Sequence, residues 1–114
     1  MYKIFVYGTL KKGKCNHFFL EGKPSILAIA PDIELHASPH EPCPFAIRGT
    51  GQTKGEVYEV DEILLQQLDE LEGHPHDYCR ELISVVLANG ESIEAWIYLH
   101  PDAKRHPLIK DGIW

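Results

Sequence analysis

"DEILLQQLDELEGHPHDYCRELISVVLANGESIEAWIYL", residues 61 to 99, decides the fold class. Its opening, residues 61 to 73, reads as an amphipathic helix. Asp61 can cap the start, Glu62 suits the positive end of the helix dipole, and Gly73 with Pro75 closes the helix. From Tyr78 to Leu99 the pattern is that of a hairpin folded about Asn89-Gly90, the pair favoured by a two-residue type I′ loop.

Upstream, residues 2 to 7 are rich in aromatic and β-branched side chains and read as a strand, followed by a turn and a short helix around Cys15 to Leu20. "SILAIAPDIEL" (25–35) is extended, with Pro31 breaking it or holding it at a sheet edge. "SPHEPCP" (38–44) is a rigid irregular loop. "PFAI" (44–47) and "GEVYEV" (55–60) are strands, separated by the turn-rich "RGTGQTKG" (48–55). The tail from His100 is mostly loop. No repeat or linker interrupts the chain, so residues 1–114 are expected to form a single α+β domain dominated by strands.

The composition sets bounds. Hydrophobic residues make up 44% and charged residues 25%, an ordinary globular balance. A net charge of -6 argues against nucleic acid as the partner, because phosphate binding needs a surplus of Lys and Arg. No apolar run reaches the roughly 20 residues of a membrane span, and no secretory leader is evident. Three widely spaced cysteines (Cys15, Cys43, Cys79) read as reduced thiols, which points to the cytoplasm. Oligomeric state is not legible, with a monomer favoured.

One carboxylate is out of place. On a wheel of about 100° per residue, Leu64, Leu68 and Leu71 share an arc of about 60°, which Leu65 extends to about 120°. Glu72 falls inside this apolar stripe, whereas Asp69 and Glu70 fall outside it as solvated acids. A carboxylate facing the core loses hydration, and the negative end of the helix dipole adds to that cost, so its pKa rises. Such a group suits general acid–base work near neutral pH. The alternative is a terminal glutamate that swings to solvent or pairs with Arg80.

The first strand runs into "YGTLKKGKC" (7–15). Gly8, Gly13 and Lys14 imitate a nucleotide-binding loop, but Cys15 stands where the magnesium-binding Ser or Thr is required. A second property survives: a strand ending in "YGTL" offers consecutive backbone N–H groups that can bind a carboxylate or an oxyanion. A plain glycine turn explains the same residues.

"VYGTLKKG", "GEVYEV" and "LDELEGHPHDYCR", in that order, resemble the γ-glutamylcyclotransferase-like family, and "FVYGTLKKGKCNH" is particularly similar to its γ-glutamylamine cyclotransferase and AIG2-like branch. The resemblance implies a small mixed β-barrel flanked by short helices. It also implies a catalytic role for Glu72, a substrate-binding loop at Tyr7, Gly8, Thr9 and Leu10, a pocket-lining Tyr78 and a bracing Arg80. The implied reaction converts a γ-glutamyl amine, such as γ-glutamyl-ε-lysine, or a γ-glutamyl amino acid into 5-oxoproline and a free amine. The partner is then a small-molecule γ-glutamyl substrate, and neither metal nor cofactor is required. The alternative function is a non-catalytic barrel that binds a small γ-glutamyl or acidic ligand. His74, His76 and Cys79 form the densest group of metal-ligand types, but no second pair stands at a familiar zinc spacing.

Overall fold

The computed structural model describes residues 1–114. Five strands, β1 (Tyr2–Val6), β2 (Ser25–His36), β3 (Phe45–Val60), β4 (Cys79–Leu87) and β5 (Ser92–Leu99), and one helix, α1 (Glu62–Glu72), account for most of the chain. Short 3-10 turns cover His17–Leu20 and Ala103–Arg105. The strands close in the order β1-β3-β2-β4-β5. All neighbours are antiparallel except β1 and β5, which meet in parallel at Ile4 and Trp96. The barrel is therefore mixed, and its parallel seam is also its most sparsely paired.

Strand alternation divides the core in two. Phe5 and Tyr7 point into the barrel with Ile83, Val85, Ala95 and Ile97, while Ile4 and Val6 face outward with Tyr98. α1 lies over this second face and inserts Leu65 and Leu68. From Ile4 onward β1 is thus buried on both sides, which explains the apolar run Ile4-Phe5-Val6. Leu68 is fully buried, and truncation to Ala would cost about 2–5 kcal/mol.

α1 forms as its ends prescribe. The Asp61 carboxylate accepts from the Leu64 N–H at 2.8 Å, and Gly73 ends the helix in the left-handed region at φ 71°. The His74 N–H then closes onto the Asp69 carbonyl at 2.9 Å.

Three local expectations need correction or refinement. "RGTGQTKG" does not separate two strands: β3 runs unbroken from Phe45 to Val60. Its register against β2 passes from Pro31↔Gln52 to Ile33↔Arg48, so Gly49, Thr50 and Gly51 stand opposite Asp32 alone. The glycines make a bulge that bends a long strand around the barrel, with Gly51 at φ 86° and Asp32 at φ 60°. The Glu34 carboxylate fills the space above Gly49, where a Cβ would come within 2.1 Å of it, and accepts from the Thr50 N–H at 2.9 Å. Pro31 stays inside β2 at this bulge, past the two residues (Ala28, Ile29) that pair with β4, so its missing N–H breaks no ladder on that side. The β4–β5 hairpin has a three-residue loop, since Leu87 pairs with Glu91 and only Gly90 has positive φ. Asn89-Gly90 therefore makes a turn followed by a glycine bulge, not a two-residue I′ turn.

Candidate active site

β1 ends at the site. Past Val6 the chain leaves the sheet, and the carbonyls of Gly8, Thr9 and Leu10 are each satisfied: by the Lys11 N–H at 3.0 Å, the Asn16 N–H at 2.9 Å and the His17 Nδ1–H at 2.9 Å. The Asn16 amide also donates to Thr9 Oγ1 at 3.0 Å. The N–H groups of Gly8, Thr9 and Leu10 donate to no protein acceptor. The loop is braced through its oxygens, and three consecutive donors are left free in the wall of a cleft.

Tyr7, Gly8, Thr9, Leu10, Glu72 and Tyr78, six residues singled out from the sequence, line that one cleft. Arg80 does not. Its guanidinium grips Asp69 with two hydrogen bonds, Nε–Oδ1 at 2.7 Å and Nη2–Oδ2 at 3.0 Å, and stacks on Trp96. Its N–H donates to His74 Nδ1 at 3.1 Å. Arg80 thus ties the end of α1 to β4, and it is not the partner of Glu72.

Glu72 closes α1 with its side chain turned toward the cleft. Burial alone pushes its carboxyl from 4.5 up to about 7. The wheel puts Glu72 on the sheltered side, as the structure does, but the sheltered arc begins about 20° and ends about 40° further round than the leucines suggest. Leu71 is exposed, and Asp69 is sheltered. The arc runs from Leu64 to Asp69, with Glu72 near its middle. Burial opposes ionisation of Asp69, but hydrogen bonds from Arg80 and Tyr98 outweigh it and hold the carboxyl below its usual range.

Five cleft residues were not among the site residues named from the sequence: Phe5 and Val6 of β1, and Cys43, Pro44 and Tyr98. Tyr98 is one of several β-formers on β5, and no local pattern marks its hydroxyl as important. Pro44 arrives from a loop remote in sequence and lies on Gly8, where a Cβ would meet Pro44 Cγ at 2.8 Å. The Tyr78 hydroxyl donates to the Pro44 carbonyl at 2.8 Å and lies 3.4 Å from Cys43 Sγ. With Pro44 seated there the cleft encloses about 30 Å³, room for roughly one water.

A larger groove of about 500 Å³ lies against Leu27, Val86 and Ile113. Its carboxylate, Glu56, is already engaged by the Lys12 N–H and the Tyr58 hydroxyl. The smaller cleft is the candidate active site, because it unites a buried acid with free donors. No three His, Cys, Asp or Glu side chains converge in a way that could hold a metal ion. No helix is long and apolar enough to cross a membrane.

Residues 4–114 match the family described as "Gamma-glutamyl cyclotransferase, AIG2-like". The chain belongs to this family. A Methanocaldococcus jannaschii protein provisionally named a gamma-glutamylcyclotransferase is 37% identical over 102 residues, covering 88% of this chain and 85% of the relative. Gamma-glutamylaminecyclotransferase A of Danio rerio is 36% identical over 107 residues, 83% of this chain and 66% of the fish protein. Among solved structures, a mouse AIG2-like protein superposes with a TM-score of 0.80 at 29% identity, covering 96% of this chain and 86% of that one. This γ-glutamyl cyclotransferase, AIG2-like chain has the mixed barrel with flanking short helices that its motifs imply.

Proposed function

We propose that the protein is a cyclotransferase that releases 5-oxoproline and a free amine from a γ-glutamyl amine or γ-glutamyl amino acid, with Glu72 as the proton shuttle. One observation carries this function: a carboxyl poised at about 7 shares a cleft with three consecutive unpartnered N–H groups.

A free α-ammonium carries its proton to about pH 8 and is no nucleophile in that form. The Glu72 carboxylate accepts this proton, and the freed nitrogen lone pair attacks the γ-carbonyl carbon of the same molecule. The new C–N bond closes a five-membered ring, and the carbonyl π electrons move onto oxygen. N–H groups of Gly8, Thr9 and Leu10 bind this oxyanion or the α-carboxylate. Protonated Glu72 then gives its proton to the leaving nitrogen, the old C–N bond breaks and the carbonyl reforms, while the ring nitrogen gives up its second proton to the freed Glu72 carboxylate, which passes it to the departing amine, released as an ammonium. Each step asks Glu72 only to exchange one proton, for which a carboxyl near neutrality is suited. The nucleophile is tethered to its target, so much of the acceleration comes from holding the chain folded for attack.

The test is a panel of γ-glutamyl amines, γ-glutamyl-ε-lysine among them, and γ-glutamyl amino acids, read as free 5-oxoproline. Release by the wild type and its loss in Glu72→Gln supports the proposal. Saturable binding without product favours the non-catalytic barrel, and normal turnover by Glu72→Gln sinks the assigned mechanism.

A further inference from the structure

The cleft contains three tyrosines, and each has already committed its hydroxyl proton. Tyr7 donates to the Tyr98 carbonyl at 2.5 Å, Tyr78 to the Pro44 carbonyl at 2.8 Å, and Tyr98 to Asp69 Oδ1 at 2.8 Å. A hydroxyl whose proton is engaged presents only lone pairs to other groups. The cleft is therefore polarised, with free donors on the Gly8–Leu10 side and acceptors on the tyrosine and Glu72 side. That arrangement complements an α-amino acid head, whose carboxylate needs donors and whose ammonium needs acceptors.

Tyr98 differs from the other two in what holds it. Its acceptor is an ionised carboxylate, itself fixed by two bonds from Arg80, and Arg80 is stacked on Trp96. The phenol cannot turn its proton into the cleft without abandoning a charged acceptor, a bond stronger than one between neutral groups. Burial, followed by the hydrogen bond to Asp69, raises the phenol's pKa, so it stays neutral and does not compete with Glu72 for the proton-transfer role.

We infer that the Tyr98 hydroxyl oxygen binds the α-ammonium of the γ-glutamyl substrate beside Glu72, with Asp69 as the positioning residue that fixes the direction of its hydrogen bond. Once one proton has passed to Glu72, the amine keeps two N–H bonds. Tyr98 accepts one of them and thereby turns the lone pair toward the γ-carbonyl. Tyr98 thus supplies recognition of the free α-amine, and the required substrate class is one with an unblocked amine.

This rests on the cyclotransferase function proposed above. The experiment compares two ligands in a Glu72→Gln background: γ-glutamyl-ε-lysine, and the glutaryl amide of the same lysine nitrogen, which differs only in lacking the α-amine. Adding Tyr98→Phe, which keeps the ring and removes the oxygen, should raise Kd for the amine-bearing ligand about 10- to 100-fold, the size of a hydrogen bond to a charged group. Kd for the desamino ligand should change less than about twofold on the same scale, which also shows that the variant is folded. Asp69→Ala should give the same selective loss. Equal weakening of both ligands by Tyr98→Phe, or no change in either, overturns the assignment. Equal weakening by Asp69→Ala alone overturns the positioning role. If the wild type forms no 5-oxoproline, the proposed reaction fails, yet the two-ligand comparison on wild type and Tyr98→Phe still decides whether Tyr98 holds the amine.

Discussion

Replacing Glu72 by Gln should stabilise the protein at alkaline pH while removing its activity. In the folded state burial holds the carboxyl at about 7, against 4.5 when unburied. Below 4.5 both folded and unfolded chains keep the proton, so the group is silent. Between the two values the unfolded chain ionises first, and the folded state loses stability as pH rises. Above about 7 the loss is complete and constant, at about 3 kcal/mol. Urea unfolding of wild type and Glu72→Gln, at about pH 5 and about pH 8.5, isolates this effect. The burial cost of the Gln amide is the same at both pH values and cancels in the difference. The advantage of Glu72→Gln should grow by about 2.5 kcal/mol between the two conditions, given two-state transitions. Growth of less than about 0.5 kcal/mol would mean that Glu72 titrates as a solvated acid. The general base near neutrality would then be lost along with it.

The same carboxyl shapes the activity profile. The rising limb of kcat/KM should reach half its height near pH 7, where Glu72 becomes a base, and a limb near 4.5 would contradict the burial argument. Arg80→Met removes both hydrogen bonds to Asp69 and leaves a sheltered carboxylate unpaired; thermal and urea unfolding should show a loss of about 2–3 kcal/mol. Gly8→Ala places a methyl 2.8 Å from Pro44 Cγ. Displacement of the loop should cut kcat/KM about tenfold or more, and a fully active variant would show that Pro44 does not need its present seat.

What the sequence determined by itself is local. The helix over residues 62–72 follows from an Asp cap, a Gly stop and an apolar stripe, all within one short window. Glu72 could be singled out because helical periodicity sets which way a side chain faces, whatever the neighbours are. The mixed barrel was implied only by the resemblance of the ordered motifs to a known family, not by any pattern within one window. Local patterns failed where a long-range partner decided the outcome. Gly49 and Gly51 look like turn residues, yet β2 pairs with β3 on both sides of them and turns them into a bulge. Asp69 looks solvated on the wheel, but Arg80 and Tyr98 draw it inward with three hydrogen bonds. Only the tertiary structure decided the site's electrostatics. Desolvation of Glu72 depends on what packs over it, and the acceptor character of Tyr98 depends on a carboxylate 29 residues away. Charge and hydrogen-bond direction are properties of surroundings, and the surroundings here come from four separate parts of the chain.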